Sequence, residues 1–63
     1  MNKNEVHQSL KAVGIPVSVF CRKIDISQTA YYQWLHGRLN LTAEKEERIF
    51  RFVKKLAEVK LDD

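Results

Sequence analysis

The tightest constraint on this chain is where its helices must stop. Gly14 is a residue that ends a helix in the left-handed conformation, and Pro16 suits the first turn of the next one. Asp25-Ile26 is a short break followed by Ser27, a good N-cap. Gly37 then stands where a C-terminal glycine belongs, and Thr42 can cap a further helix. Between these breaks the apolar spacing is helical. Val6, Leu10 and Val13 make one stripe on a first helix from about Asn4, its cap, to Val13. A second helix, from about Pro16 to Lys23, buries Val17 or Val19 with Phe20, Cys21 and Ile24. A third is predicted from about Gln28 to His36 and a fourth from Ala43 to about Leu61. Glu44, Glu46 and Glu47 fall in the first turns of that last helix, where its dipole favours negative charge. Almost nothing alternates as a strand does, and the nearest candidate, Val17 and Val19, sits inside a better helical pattern, so the expected fold is all-α, with four helices.

Size narrows what such a fold can do. At 63 residues the chain is a single domain, 1–63, with room for one core and none for a deep substrate cleft. Function is therefore expected on the outside. The lone Cys21 excludes an internal disulfide, and no Cys/His spacing points to a metal. No nucleophile–base pair, carboxylate pair or phosphate-cradling glycine loop is present, so no catalysis, cofactor or small-molecule substrate is expected. The polar N-terminus and the short apolar runs carry neither a leader nor a membrane span, which together with one cysteine fits the cytoplasm. Net charge is +3, and residues 1–43 hold the whole excess: five basic side chains against two acidic ones. Such a field favours a polyanion.

Two short helices joined by a turn of three or four residues form a helix-turn-helix, about 16–37 in this chain, with a small residue (Cys21) at the crossing. The stretch Phe20-Cys21-x-x-Ile24-Asp25-Ile26-Ser27-Gln28-Thr29-x-Tyr31-x-x-Trp34-x-x-Gly37-Arg38 resembles the Cro/repressor-type (lambda-repressor-like) helix-turn-helix family of phage and bacterial regulators. The resemblance covers roughly residues 14–42. It departs from the family at Asp25, where a turn glycine is usual, and at Pro16-Val17, where a polar cap and a polar phosphate contact are usual. Leu35-His36 also replaces the usual acidic-Asn pair. The resemblance implies a sequence-specific DNA-binding transcriptional regulator, a repressor of phage or bacterial type, whose third helix enters the major groove.

Helical spacing sorts the aromatic cluster. Tyr31 and Trp34 share the inward side of the third helix, while Gln28, Thr29, Tyr32 and Gln33 lie around the other. Glutamine can bond adenine through two atoms, and a Thr methyl or a Tyr ring can pack on a thymine methyl. These four are the expected base readers. Phosphate contacts are expected from Arg38, Lys23, Arg22 and Lys11.

Along the last helix, apolar residues cover an arc of about 200°, wider than the ~100° stripe one contact requires. Ile49, Phe52, Leu56 and Val59 form one seam; Phe50, Val53, Ala57 and Leu61 form a second. If the first seam closes the domain, the second is free to pair with another copy. That homodimer would set two recognition helices on a palindromic operator, about one DNA turn apart. A rival reading stays open. The surplus strip, the modest charge and Pro16-Val17 also fit a small protein-interaction module, an inhibitor or antirepressor, built on the same fold.

Overall fold

The computed structural model describes residues 2–61, apart from the side chains of 57 and 59–61. Four helices occur in the order α1 (Lys3–Val13), α2 (Val17–Ile24), α3 (Gln28–Leu35) and α4 (Ala43–Leu61). No strand occurs among the described residues. No helix among them is long and apolar enough to cross a membrane.

The first three helices end in the same way, and the backbone bonds say how. After α1, Gly14 turns to φ 83°, Gly14 N–H donates to Lys11 O, and Ile15 N–H reaches back to Leu10 O at 3.0 Å. After α3, Gly37 adopts φ 76°, its N–H donates to Trp34 O, and Arg38 N–H donates to Gln33 O at 2.7 Å. Both closures are Schellman motifs, in which one left-handed residue satisfies carbonyls the helix leaves open. Asp25 does the same for α2 without being glycine: φ is 61°, and Ile26 N–H donates to Cys21 O at 3.0 Å. The residues after Gly14 and Asp25 are Ile15 and Ile26, and both pack partly buried against the core. Each stop thus also inserts an apolar side chain.

The helix starts are side-chain caps where polar residues permit. Ser27 Oγ accepts from Ala30 N–H at 3.0 Å, and Thr42 Oγ1 from Lys45 N–H at 3.2 Å. At α1 the cap is Asn2, not Asn4: Asn2 Oδ1 accepts from Glu5 N–H at 2.9 Å, and the helix begins at Lys3. Pro16 is not inside α2 but is its extended N-cap, ψ 144°, and its carbonyl takes the N–H of both Val19 and Phe20. The first helical residue is Val17, and α2 extends to Ile24 instead of stopping at Lys23. Similarly, α3 stops at Leu35, with His36 as its cap residue.

One core joins all four helices: Val6 and Leu10, then Phe20, Cys21 and Ile24, then Tyr31 and Trp34, then Ile49 and Val53. Phe20 meets Tyr31 and Phe52 edge-on, with ring centroids 5.6 and 5.4 Å away, an arrangement favoured by aromatic quadrupoles. In α2, Val17 is the valine that packs inward, while Val19 stays 41% exposed.

The two-seam division of α4 does not hold. Ile49 and Val53, assigned to different seams, are both fully buried. Phe50 is partly buried with its ring 6.4 Å from that of Trp34, and Phe52 and Leu56 also pack on the core. The reason is that α4 packs against both α1 and α2, so two neighbours use an arc that would be surplus for one. Val53 has no surface left to give a second copy, and Phe50 is engaged within the chain. The remaining members of that predicted dimer seam, Ala57 and Leu61, lie outside the described side chains, as does Val59.

Candidate nucleic-acid interface

Helix α3 is amphipathic, and its two sides have different chemistry. Tyr31 and Trp34 are 0% exposed, anchoring the helix from beneath. Gln28, Thr29, Tyr32, Gln33 and His36 are all exposed. The i, i+4 pairs Gln28–Tyr32 and Thr29–Gln33 make these a continuous patch. All four predicted base readers therefore lie on one surface, and His36 extends it. No charged residue occurs anywhere in α3, so the patch presents hydrogen-bonding and aromatic groups without net charge.

The patch is held rigidly. Tyr32 is 40% exposed, yet its ring lies edge-on to Tyr31 at 5.3 Å and to His7 of α1 at 6.3 Å. Beneath it, the Tyr31 hydroxyl and His7 Nδ1 are 2.9 Å apart. Burial pushes the Tyr31 phenol up to about 12, so it stays protonated at any physiological pH. His7 thus fastens α1 to the underside of the exposed ring. The other anchor, Trp34, donates its indole N–H to Glu46 Oε2 at 2.9 Å, and Lys3 Nζ lies 5.3 Å from its ring centroid. α3 is bracketed by α1 on one side and the start of α4 on the other.

Basic side chains surround the patch unevenly. Arg38 is exposed, directly after Gly37, and its own N–H is bonded to the carbonyl of Gln33. That bond sets the root of Arg38 at the end of the patch. Lys11 is exposed one helical turn beyond His7, so it belongs to the stripe of α1 that meets Tyr32. Arg22 is exposed on the last turns of α2. Lys23 is turned elsewhere: it lines a groove between α2 and α4 with Arg48, Arg51 and Lys55, and no α3 residue borders that groove.

Two polar residues not anticipated from the pattern, Asn40 and Lys45, lie near the start of α3. A shallow groove has Ser27 and Ala30 on one wall and Asn40, Thr42 and Lys45 on the other. The connection after Gly37 folds back and brings the first turn of α4 beside the first turn of α3. Lys45 gives no periodic signal, because its place depends on that return path. Cys21 is buried, its thiol pushed up by desolvation, and serves as the small residue between helices. Among the described residues, no three His, Cys, Asp or Glu side chains gather into a metal-holding group.

No protein-family model matches this chain, and no curated protein or solved structure matches it either.

Proposed function

We propose that this chain is a sequence-specific DNA-binding regulator that places the exposed side of α3 in the major groove. The observation that carries this reading is the uncharged patch Gln28, Thr29, Tyr32 and Gln33 on a helix locked from below by Tyr31 and Trp34. A reading helix needs hydrogen-bonding side chains on a rigid support, since specificity comes from geometry at base edges. Cations at both ends of the patch supply the affinity: Arg38 after its C-terminus, Lys45 beside its N-terminus, and Lys11 along the α1 border. Arg22 is a further exposed cation on α2, and Lys23 contributes less, because the groove it lines borders no α3 residue. The likeness of residues 14–42 to Cro/repressor-type regulators supports the same assignment, with repression by operator occupancy as the mode of action.

Selection of random duplex DNA on the purified protein, at low and moderate salt, tests the proposal. A recovered motif that loses its base preference in Gln28→Ala or Gln33→Ala, with about 1–3 kcal/mol lost per bidentate contact, is the expected result. Recovery of no motif at either salt would sink it. The spacing of the motif also settles stoichiometry, because a palindrome with half-sites one turn apart requires two copies.

A further inference from the structure

The groove between α2 and α4 has a composition of which the DNA-binding reading uses only Lys23, and that little. Its floor is apolar: Ile24, 6% exposed, and Phe52, partly buried against Phe20. Its rim is cationic, formed by Lys23 from α2 and by Arg48, Arg51 and Lys55 from α4, with no carboxylate lining it. The three α4 residues are spaced i, i+3 and i+7 and so share one face over about 10 Å. Arg48 reaches Glu44 at 3.9 Å and Arg51 pairs with Glu47, both in solvent-exposed geometry. Such pairs are weak and readily exchanged. Lys23 and Lys55 are in no ion pair among the described residues.

We propose that this groove is a docking site for an acidic peptide segment of another protein, one that carries a bulky apolar side chain between its carboxylates. Charge complementarity selects the acids, and the floor selects the anchor. A groove about 10 Å long matches three or four residues of extended peptide, enough for one apolar side chain flanked by acids. A DNA backbone is the poorer occupant, because phosphodiesters have nothing to place on Ile24 and Phe52, and α3 borders no part of the groove. The docking site is thus independent of the reading patch. It allows the chain to hold a protein partner while α3 is engaged elsewhere.

The test is fluorescence anisotropy of the full chain with a labelled peptide Asp-Glu-Phe-Leu-Asp-Glu, beside one with Ser-Ser at the centre and one with Asn and Gln for the acids. The expected result is saturable binding of the first peptide at low salt and at least fivefold weaker binding of both controls. Lys55→Gln and Lys23→Gln should each weaken the first peptide about two- to fivefold, in line with exposed charge pairs. Both sites are exposed, so unchanged far-UV circular dichroism is expected to show intact folds. Equal binding of the Ser-Ser peptide, or indifference to both lysine variants, overturns the proposal. So does absence of binding at hundreds of micromolar. If instead Lys55→Gln weakens duplex DNA and no peptide binds, the groove is a phosphate contact, and the proposal fails. If it abolishes self-association seen by sedimentation, a second copy occupies the groove, and the proposal also fails.

Discussion

Asp25 holds a left-handed backbone that glycine would hold without strain, and Gly37 holds the same conformation freely. The two positions make opposite predictions. Replacing Asp25 by Gly removes a Cβ conflict and is expected to stabilise the fold by about 0.5–1 kcal/mol, a rise of a few degrees in Tm. Gly37→Ala should do the reverse. A Cβ there meets nothing within 4 Å, so the cost is conformational alone, about 1–2 kcal/mol. Thermal unfolding of both variants checks the pair, and a stabilised Gly37→Ala would refute a left-handed stop at that position. Tyr31 carries a third prediction at this scale. Its folded pKa is raised to about 12 from 10.0, so the folded state holds the proton more tightly than the unfolded chain. Its contribution is fully present below pH 10 and lost as pH rises from about 10 toward 12. Tyr31→Phe is expected to flatten that alkaline fall in Tm, whereas Tyr32→Phe, at an exposed site, should leave it in place. The stops and caps were legible in the sequence because they act within three to five residues. Asn2 illustrates the limit: both Asn2 and Asn4 are capping types, and the deciding signal was Glu5 three residues after Asn2, the spacing of a capping box.

At the scale of elements, the third helix depends on the fourth for its orientation. Trp34 is buried, and its N–H has Glu46 as its hydrogen-bond partner, while Phe50 packs against the same ring from one turn further along α4. Glu46→Leu leaves the indole N–H buried without an acceptor, at about 1–3 kcal/mol, with a few tenths more for the lost charge in the first turn of α4. Glu46→Gln keeps an acceptor and should cost much less. Urea unfolding of the two variants separates them, and equal midpoints would show that the Trp34–Glu46 bond contributes nothing. This brace could not be read from periodicity, which marks Glu46 only as an acid favoured near a helix start. The same gap explains the misplaced seams. Period 3.6 sorts residues around α4, but whether Val53 faces a neighbour depends on how α1 and α2 cross it. The outward side of α3 was legible because its inward side is marked by large aromatics, Tyr31 and Trp34, that a small core has to absorb.

For the whole molecule, the decisive quantity is how DNA affinity responds to salt. The proposed interface engages phosphates through Arg38, Lys45 and Lys11, while the reading patch is uncharged. Three phosphates neutralised per copy give a slope of log K against log salt near −2.7, or about a fortyfold loss between 50 and 200 mM. Arg38→Ala should make the slope shallower by about 0.9 and weaken all sequences alike. Gln28→Ala should leave the slope unchanged and weaken only the preferred site. Two copies on one duplex would double the wild-type slope to about −5.4, which fluorescence titration in a salt series resolves from the single-copy value. Val53 is fully buried and Phe50 is packed on Trp34, so these two residues of the predicted seam are engaged within the chain. A slope near about −2.7 with a non-palindromic motif would mean one copy per site. A slope near about −5.4 with a palindrome would mean that two copies bind, joined through a surface that does not include Val53. A slope near zero would mean that the cations around α3 do not meet phosphates at all, and the DNA-binding assignment would fall with it.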